Sequence, residues 1–230
     1  MIWLLPIVSI ARFQLILYFF IKACEYSYFF TSKKKYRCFF TYFIRFDLVW
    51  LIFVVKISSK MDIQHAKLIA AMTEYDKGDA MRIQHFMKVH DYAVTIGTLE
   101  GIGENLMSIL ESAAILHDIG IHISEEKYGS SNGKYQEKEG PEEARKLLSS
   151  LGGYSNQQID RICYLIAHHH TYNDIDGLDY QILVESDFLV NIYEDNLTAQ
   201  AIGNVRAKIF RTKPGLDLLD NMYNVITAHS

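Results

Sequence analysis

Residues Ala113-Ala114-Ile115-Leu116-His117-Asp118-Ile119-Gly120 form an apolar helical run that ends abruptly in a His-Asp pair just before a glycine. A fold that buries such a run must also accommodate an imidazole and a carboxylate at its end. Neither is often fully buried without a partner, and an unpaired charge in a core is expensive. A bound cation resolves that conflict, so the run predicts a buried helix that carries its polar pair to an interior site.

The chain around this run is predicted to be helical. From Met61 onward, apolar residues recur at helical spacing between short polar breaks. The expected helices cover Ile63–Tyr75, Ala80 to about Leu99 behind an Asp79 cap, and a segment capped by Asn105 that leads into His117-Asp118. A polar stretch over Ser124–Gly140 is expected to be a lid, a binding loop or a solvated connection. Pro141-Glu142-Glu143 then predicts a helix start, ended by Gly152-Gly153. Ser155-Asn156-Gln157-Gln158 has the form of a capping box opening a helix with Ile159, Ile162, Cys163 and Ile166 on one face. Continuing that face reaches His169 and His170, with His168 off the stripe. Further helices are expected over about Tyr180–Asp195 and Leu197–Phe210, followed by a Pro214-Gly215 turn and a short terminal helix ending near Ala228. Strand signals are weak throughout, so the expected class is all-α, a helical bundle.

Charge separates the chain into two unlike parts. Residues 1–60 carry nine Lys/Arg against two Asp/Glu, and residues 61–230 carry fourteen against twenty-five. An acidic domain lacks the positive surface that long nucleic acid requires, whereas a small anionic substrate is compatible with it if a metal supplies positive charge. Cys24, Cys38 and Cys163 have no CxxC spacing and cannot all pair, which argues against a disulfide framework or a thiolate zinc site and for a reducing, cytoplasmic compartment.

Residues 1–60 form a hydrophobic, basic N-terminal extension. Its runs Ile2–Lys22 and Phe39–Val55 approach the roughly 20 apolar residues of a membrane helix. Arg12 interrupts one, and Arg45 and Asp47 the other, at about 2.5–3.5 kcal/mol for each charge near the bilayer centre. Three origins stand side by side: upstream sequence preceding a true start at Met61, a membrane anchor, or a soluble partner-binding extension. Membrane association is expected only if this segment is translated.

Within 61–230, four segments put metal-capable groups into apolar surroundings: His85, His117-Asp118, the run His168–His170, and Asp187. Each has a structural alternative: a buried histidine satisfied by core hydrogen bonds, or an ordinary helix-surface acid. His85 and His90 lie five apart and point in different directions on a helix, so at most one of them belongs to a shared site. Imidazole and carboxylate without thiolate suit Mn, Fe, Co, Ni, Mg or Zn.

The order His85, His117-Asp118, Asp187, in the contexts Arg82-Ile83-Gln84-His85, Ala114-Ile115-Leu116-His117-Asp118-Ile119-Gly120 and Glu185-Ser186-Asp187, resembles the HD superfamily of metal-dependent phosphohydrolases. The resemblance covers essentially all of 61–230 and none of 1–60. It selects His85 over His90 and implies His85, His117, Asp118 and Asp187 as ligands of one divalent ion, set in the core of an HD-domain bundle. Some members hold a second ion through extra histidines. His169 and His170 could supply a His-His pair, but where those members carry a further histidine before a Gly-rich helix start this chain has Gln136, Glu137 and Glu139.

The implied reaction is hydrolysis of a phosphate ester of a nucleotide or another small metabolite by metal-activated water. Asp118 would orient that water or take its proton, His169 or His122 would stabilise phosphoryl charge, and Lys134 would clamp phosphate or remain an ordinary solvated lysine. The same residues would equally serve a non-catalytic module that senses a metal or nucleotide.

Overall fold

In a computed structural model of the chain, residues 63–224 are described. They form α1 (Ile63–Tyr75), α2 (Ala80–Glu100), α3 (Glu104–Leu116), α4 (Ile121–Tyr128), α5 (Gly133–Leu151), α6 (Asn156–Ile166), α7 (Leu178–Glu194), α8 (Ala199–Lys208) and α9 (Lys213–Tyr223), with no strand among the described residues. The expectations for the runs within 1–60 lie outside the described residues.

The bundle is built around α3. Its Leu110, Ala113, Ala114, Ile115 and Leu116 have no solvent exposure, because α1, α2, α6 and α7 all pack against this one helix. The expectation of a buried carrier for His117-Asp118 therefore holds. Glu104–Tyr128, the stretch of described chain with the length and apolarity to cross a membrane, is for the most part buried in this core. Helix α2 lies between α3, α7 and α9, and α5 spans α1, α4 and α6.

The polar breaks behave largely as their chemistry dictates. Asp79 caps α2 by accepting from the Arg82 N–H at 3.0 Å, and Ser155 and Gln158 form the complete capping box of α6. Asn105 is not a cap. Helix α3 starts at Glu104, behind Gly103, and the Asn105 side chain instead accepts from Gln158 Nε2 at 3.1 Å. Pro214 lies in the first turn of α9 behind a Thr212 cap, and α9 ends at Tyr223, where Asn224 takes the left-handed conformation, rather than near Ala228.

The larger correction concerns Ser124–Gly140. Helix α4 continues to Tyr128 and α5 begins at Gly133, leaving only residues 129–132 outside helix. Pro141 lies inside α5 rather than at its start. Proline is tolerated there because Gly140, which precedes it, has no Cβ to meet the pyrrolidine ring. The buried stripe Gln136, Gly140, Ala144 and Leu148 runs straight through the proline at a spacing of four, and its packing outweighs the loss of one helical hydrogen bond.

Candidate metal centre

Two helices and two turns deliver the candidate ligands. His85 projects from α2 and Asp187 from α7, two helices in direct contact. His117 and Asp118 open the turn between α3 and α4. His169 and His170 lie in a turn after α6, which ends at Ile166. The expectation that the helix itself continues to the histidine pair is thus corrected, although both residues reach the site. The Tyr180 hydroxyl holds this turn against the carbonyls of His168 and Thr171. His168 faces away, with Nδ1 donating to the Tyr164 carbonyl at 2.7 Å.

His85 Nε2 lies 3.2 Å from His117 Nε2 and 3.2 Å from Asp187 Oδ1. His117 Nε2 is 3.5 Å from the same Asp187 oxygen. Asp118 divides its carboxylate: Oδ2 lies 3.6 Å from His85 Nε2 and 3.4 Å from His117 Nε2, while Oδ1 lies 3.5 Å from His169 Nε2. Two groups of donors result, His85-His117-Asp118 and Asp118-His169-His170, each compact enough to hold an ion.

The ring nitrogens are prepared for such a role. His85 Nδ1 faces Glu194 at 2.8 Å, His117 Nδ1 faces the Ala114 carbonyl at 2.9 Å, and His169 Nδ1 faces the Ile166 carbonyl at 2.8 Å. Each acceptor holds the proton on Nδ1 and leaves Nε2 as the ligating atom, the usual outer-shell arrangement of metal-binding histidines. His169 Nε2 is fully buried and makes no hydrogen bond among the described residues. A buried acceptor in that state is costly, and a cation beside Asp118 relieves it. The residues therefore fit a divalent ion.

Burial and neighbouring charge set the titration of these groups against one another. Burial opposes charge on His85, but Asp187 and Asp118 outweigh it and hold its pKa above the ordinary histidine value. Burial likewise opposes charge on His117, and Asp118 and Asp187 override it more strongly. Burial would raise both carboxylates, yet His117 and His169 hold Asp118 well below the usual range, and His117 and His85 do the same for Asp187. For His170, burial and the adjacent His169 push the pKa down to about 4, so this ring is neutral near pH 7.

Two candidate residues are placed elsewhere. The ring nitrogens of His122 are engaged by Arg82 Nη1 at 3.0 Å and Asp76 Oδ1 at 3.0 Å, in a polar cluster one turn of α2 from His85. Lys134 is exposed in the first turn of α5, with Nζ 4.7 Å from the centroid of Tyr135. Its neighbour Gly133 packs directly on the His170 ring. His90 points away from the centre and pairs with Glu111 at 3.1 Å.

Sequence reasoning missed Glu194 and Lys88, and gave Gln136 and Glu137 no role of their own. Glu194 lies seven residues after Asp187, on the same face of α7, and Lys88 lies three after His85. Lys88 Nζ is 2.5 Å from Glu194 Oε1, so the base that orients His85 is itself held. The i, i+7 spacing was the signal available for Glu194.

The HD domain family model matches residues 82–202. The chain belongs to the HD domain family. The matched region takes in His85, His117-Asp118, His169-His170 and Asp187, so the family's defining doublet sits at the point where the two donor groups meet. A crystal structure of a predicted HD superfamily hydrolase from an uncultured Thermotogales bacterium has a similar fold, with a TM-score of 0.51 and 24% identity over 69% of this HD-domain chain and 84% of that one. A comparison with curated proteins finds no match.

Proposed function

We propose that this HD-domain protein is a metal-dependent phosphohydrolase acting on the phosphate ester of a nucleotide or another small metabolite, in the cytoplasm. The observation that carries the reading is the gathering of four imidazoles and two carboxylates into two donor groups that meet at Asp118, whose side chain is 21% exposed. A divalent ion bound there supplies Lewis acidity toward a phosphoryl oxygen and lowers the pKa of a water molecule.

The chain's own residues do the rest. Asp118, at the accessible edge, orients the attacking water and accepts its proton. Buried His117 and Asp187 exclude bulk solvent from the reacting group. Lys134, exposed in the first turn of α5, would clamp the anionic end of a substrate. The acidic balance of residues 61–230 favours small phosphorylated compounds over long nucleic acid.

The test is a screen of the purified chain against phosphorylated metabolites with Mn, Co, Ni or Mg. Turnover that disappears in a folded Asp118→Ala variant supports the reading. A metal-loaded protein that turns over nothing overturns it, and ligand affinity retained without turnover would make the protein a sensor.

A further inference from the structure

Helix α5 holds His170 in a way that differs from the other three histidines. Gln136, buried in this helix, donates from Nε2 to the Ser131 carbonyl at 2.7 Å. A carbonyl only accepts, so this bond fixes the amide orientation and turns Oε1 toward His170 Nε2, 3.2 Å away. The amide oxygen also only accepts. The His170 proton therefore lies on Nε2, and Nδ1 carries the lone pair. His85, His117 and His169 have the opposite tautomer, each with Nδ1 facing an acceptor.

The rest of the α5 face secures this orientation. Glu137 Oε1 accepts from the His170 backbone N–H and from the Thr171 hydroxyl, both at 3.0 Å. Gly133 lies against the ring, where a Cβ would come within 2.6 Å of His170 Cδ2.

We propose that Gln136 is a positioning residue for the second half of the centre, fixing His170 as the Nε2–H tautomer so that Nδ1 ligates a divalent ion shared with His169 and Asp118. This rests on the reading of the centre as a metal site, and its readouts need no turnover. Absence of hydrolysis by a metal-loaded protein would overturn the phosphohydrolase reading and leave this inference standing.

The experiment uses the full chain with Zn2+ as a diamagnetic probe. Long-range 1H–15N spectra identify the protonated nitrogen of each ring, and calorimetric titration with elemental analysis counts the ions. Expected are His170 protonated on Nε2 in the metal-free protein, two Zn2+ per chain, and loading that moves the His170 Nδ1 resonance. Gln136→Leu is expected to weaken the second binding step by about tenfold to a hundredfold with the first unchanged. A His170 proton on Nδ1, one Zn2+ per chain in the wild type, or an unchanged second step in Gln136→Leu would overturn the proposal. Should Gln136→Leu fail to fold, the wild-type ring protonation decides.

Discussion

Asp118 is the residue on which the two donor groups depend, because one oxygen faces His85 and His117 and the other faces His169. Asp118→Ala is expected to weaken metal binding more than about a hundredfold, beyond the tenfold to hundredfold typical of an outer-shell change, and elemental analysis of the purified variant checks this. The protonation of the metal-free site leads to a pH prediction. His85 and His117 have pKa values raised above the ordinary 6.5, so their contribution to stability is full below 6.5 and is lost as pH rises through the raised values. Asp118 and Asp187 have lowered values, so their contribution is full above 3.8 and is lost as pH falls through the lowered ones. The melting temperature of the metal-free protein should therefore decline from about pH 6.5 upward. Saturating metal should reverse that slope, since an ion displaces the imidazole protons and binds more tightly as pH rises. Thermal unfolding at several pH values, with and without metal, measures both slopes. His117-Asp118 and Asp187 were legible because each interrupts an apolar stretch, whereas His85 was told from His90 only by the resemblance to the HD superfamily. Gln136 and Glu194 were not legible, because a polar side chain on a helix carries no mark of what it faces until a second element packs against it.

At the scale of elements, α5 connects the two halves of the centre. A Cβ on Gly120 would lie 2.6 Å from the Gln136 carbonyl oxygen and 2.8 Å from the Gly140 nitrogen, both backbone atoms of α5 that have no rotamer by which to yield. Gly120→Ala is expected to destabilise the protein by about 3 kcal/mol, a fall in melting temperature of roughly 6–12 °C, readable by calorimetry. A second element is fixed by Glu185. Its buried carboxylate accepts from the backbone N–H groups of Arg211 and Thr212 at 2.6 and 2.9 Å and from Gln181 Nε2 at 2.7 Å, tying α7 to the start of α9. Glu185→Ala removes the acceptor of the buried Thr212 N–H and of the Arg211 N–H and is expected to cost about 3 kcal/mol, detectable as a shifted denaturant midpoint. Pro141 concealed α5 because its local preference marks a helix start. The stripe Gln136, Gly140, Ala144, Leu148 was present in the sequence, but its first two members are polar or lack a side chain, so hydropathy did not reveal it.

At the scale of the molecule, the HD match at residues 82–202 and the described bundle both fall after Met61. A chain beginning at Met61 is expected to unfold cooperatively and bind metal as the full chain does, checked by circular dichroism and calorimetric titration. Membrane fractionation of the full-length product distinguishes an anchor in residues 1–60 from the alternatives. The sequence by itself determined the helical class and the burial of Ala113–Leu116 and marked His117-Asp118 as a candidate site, because periodicity, caps and a polar pair ending an apolar run are local properties of the chain; His85 and Asp187 joined that set through the resemblance to the HD superfamily. Only the tertiary structure decided which nitrogen each histidine presents, how Asp118 is shared and that α5 closes over the centre. Those outcomes depend on hydrogen-bond acceptors and backbone contacts from segments distant in sequence, which come into register only when the helices pack.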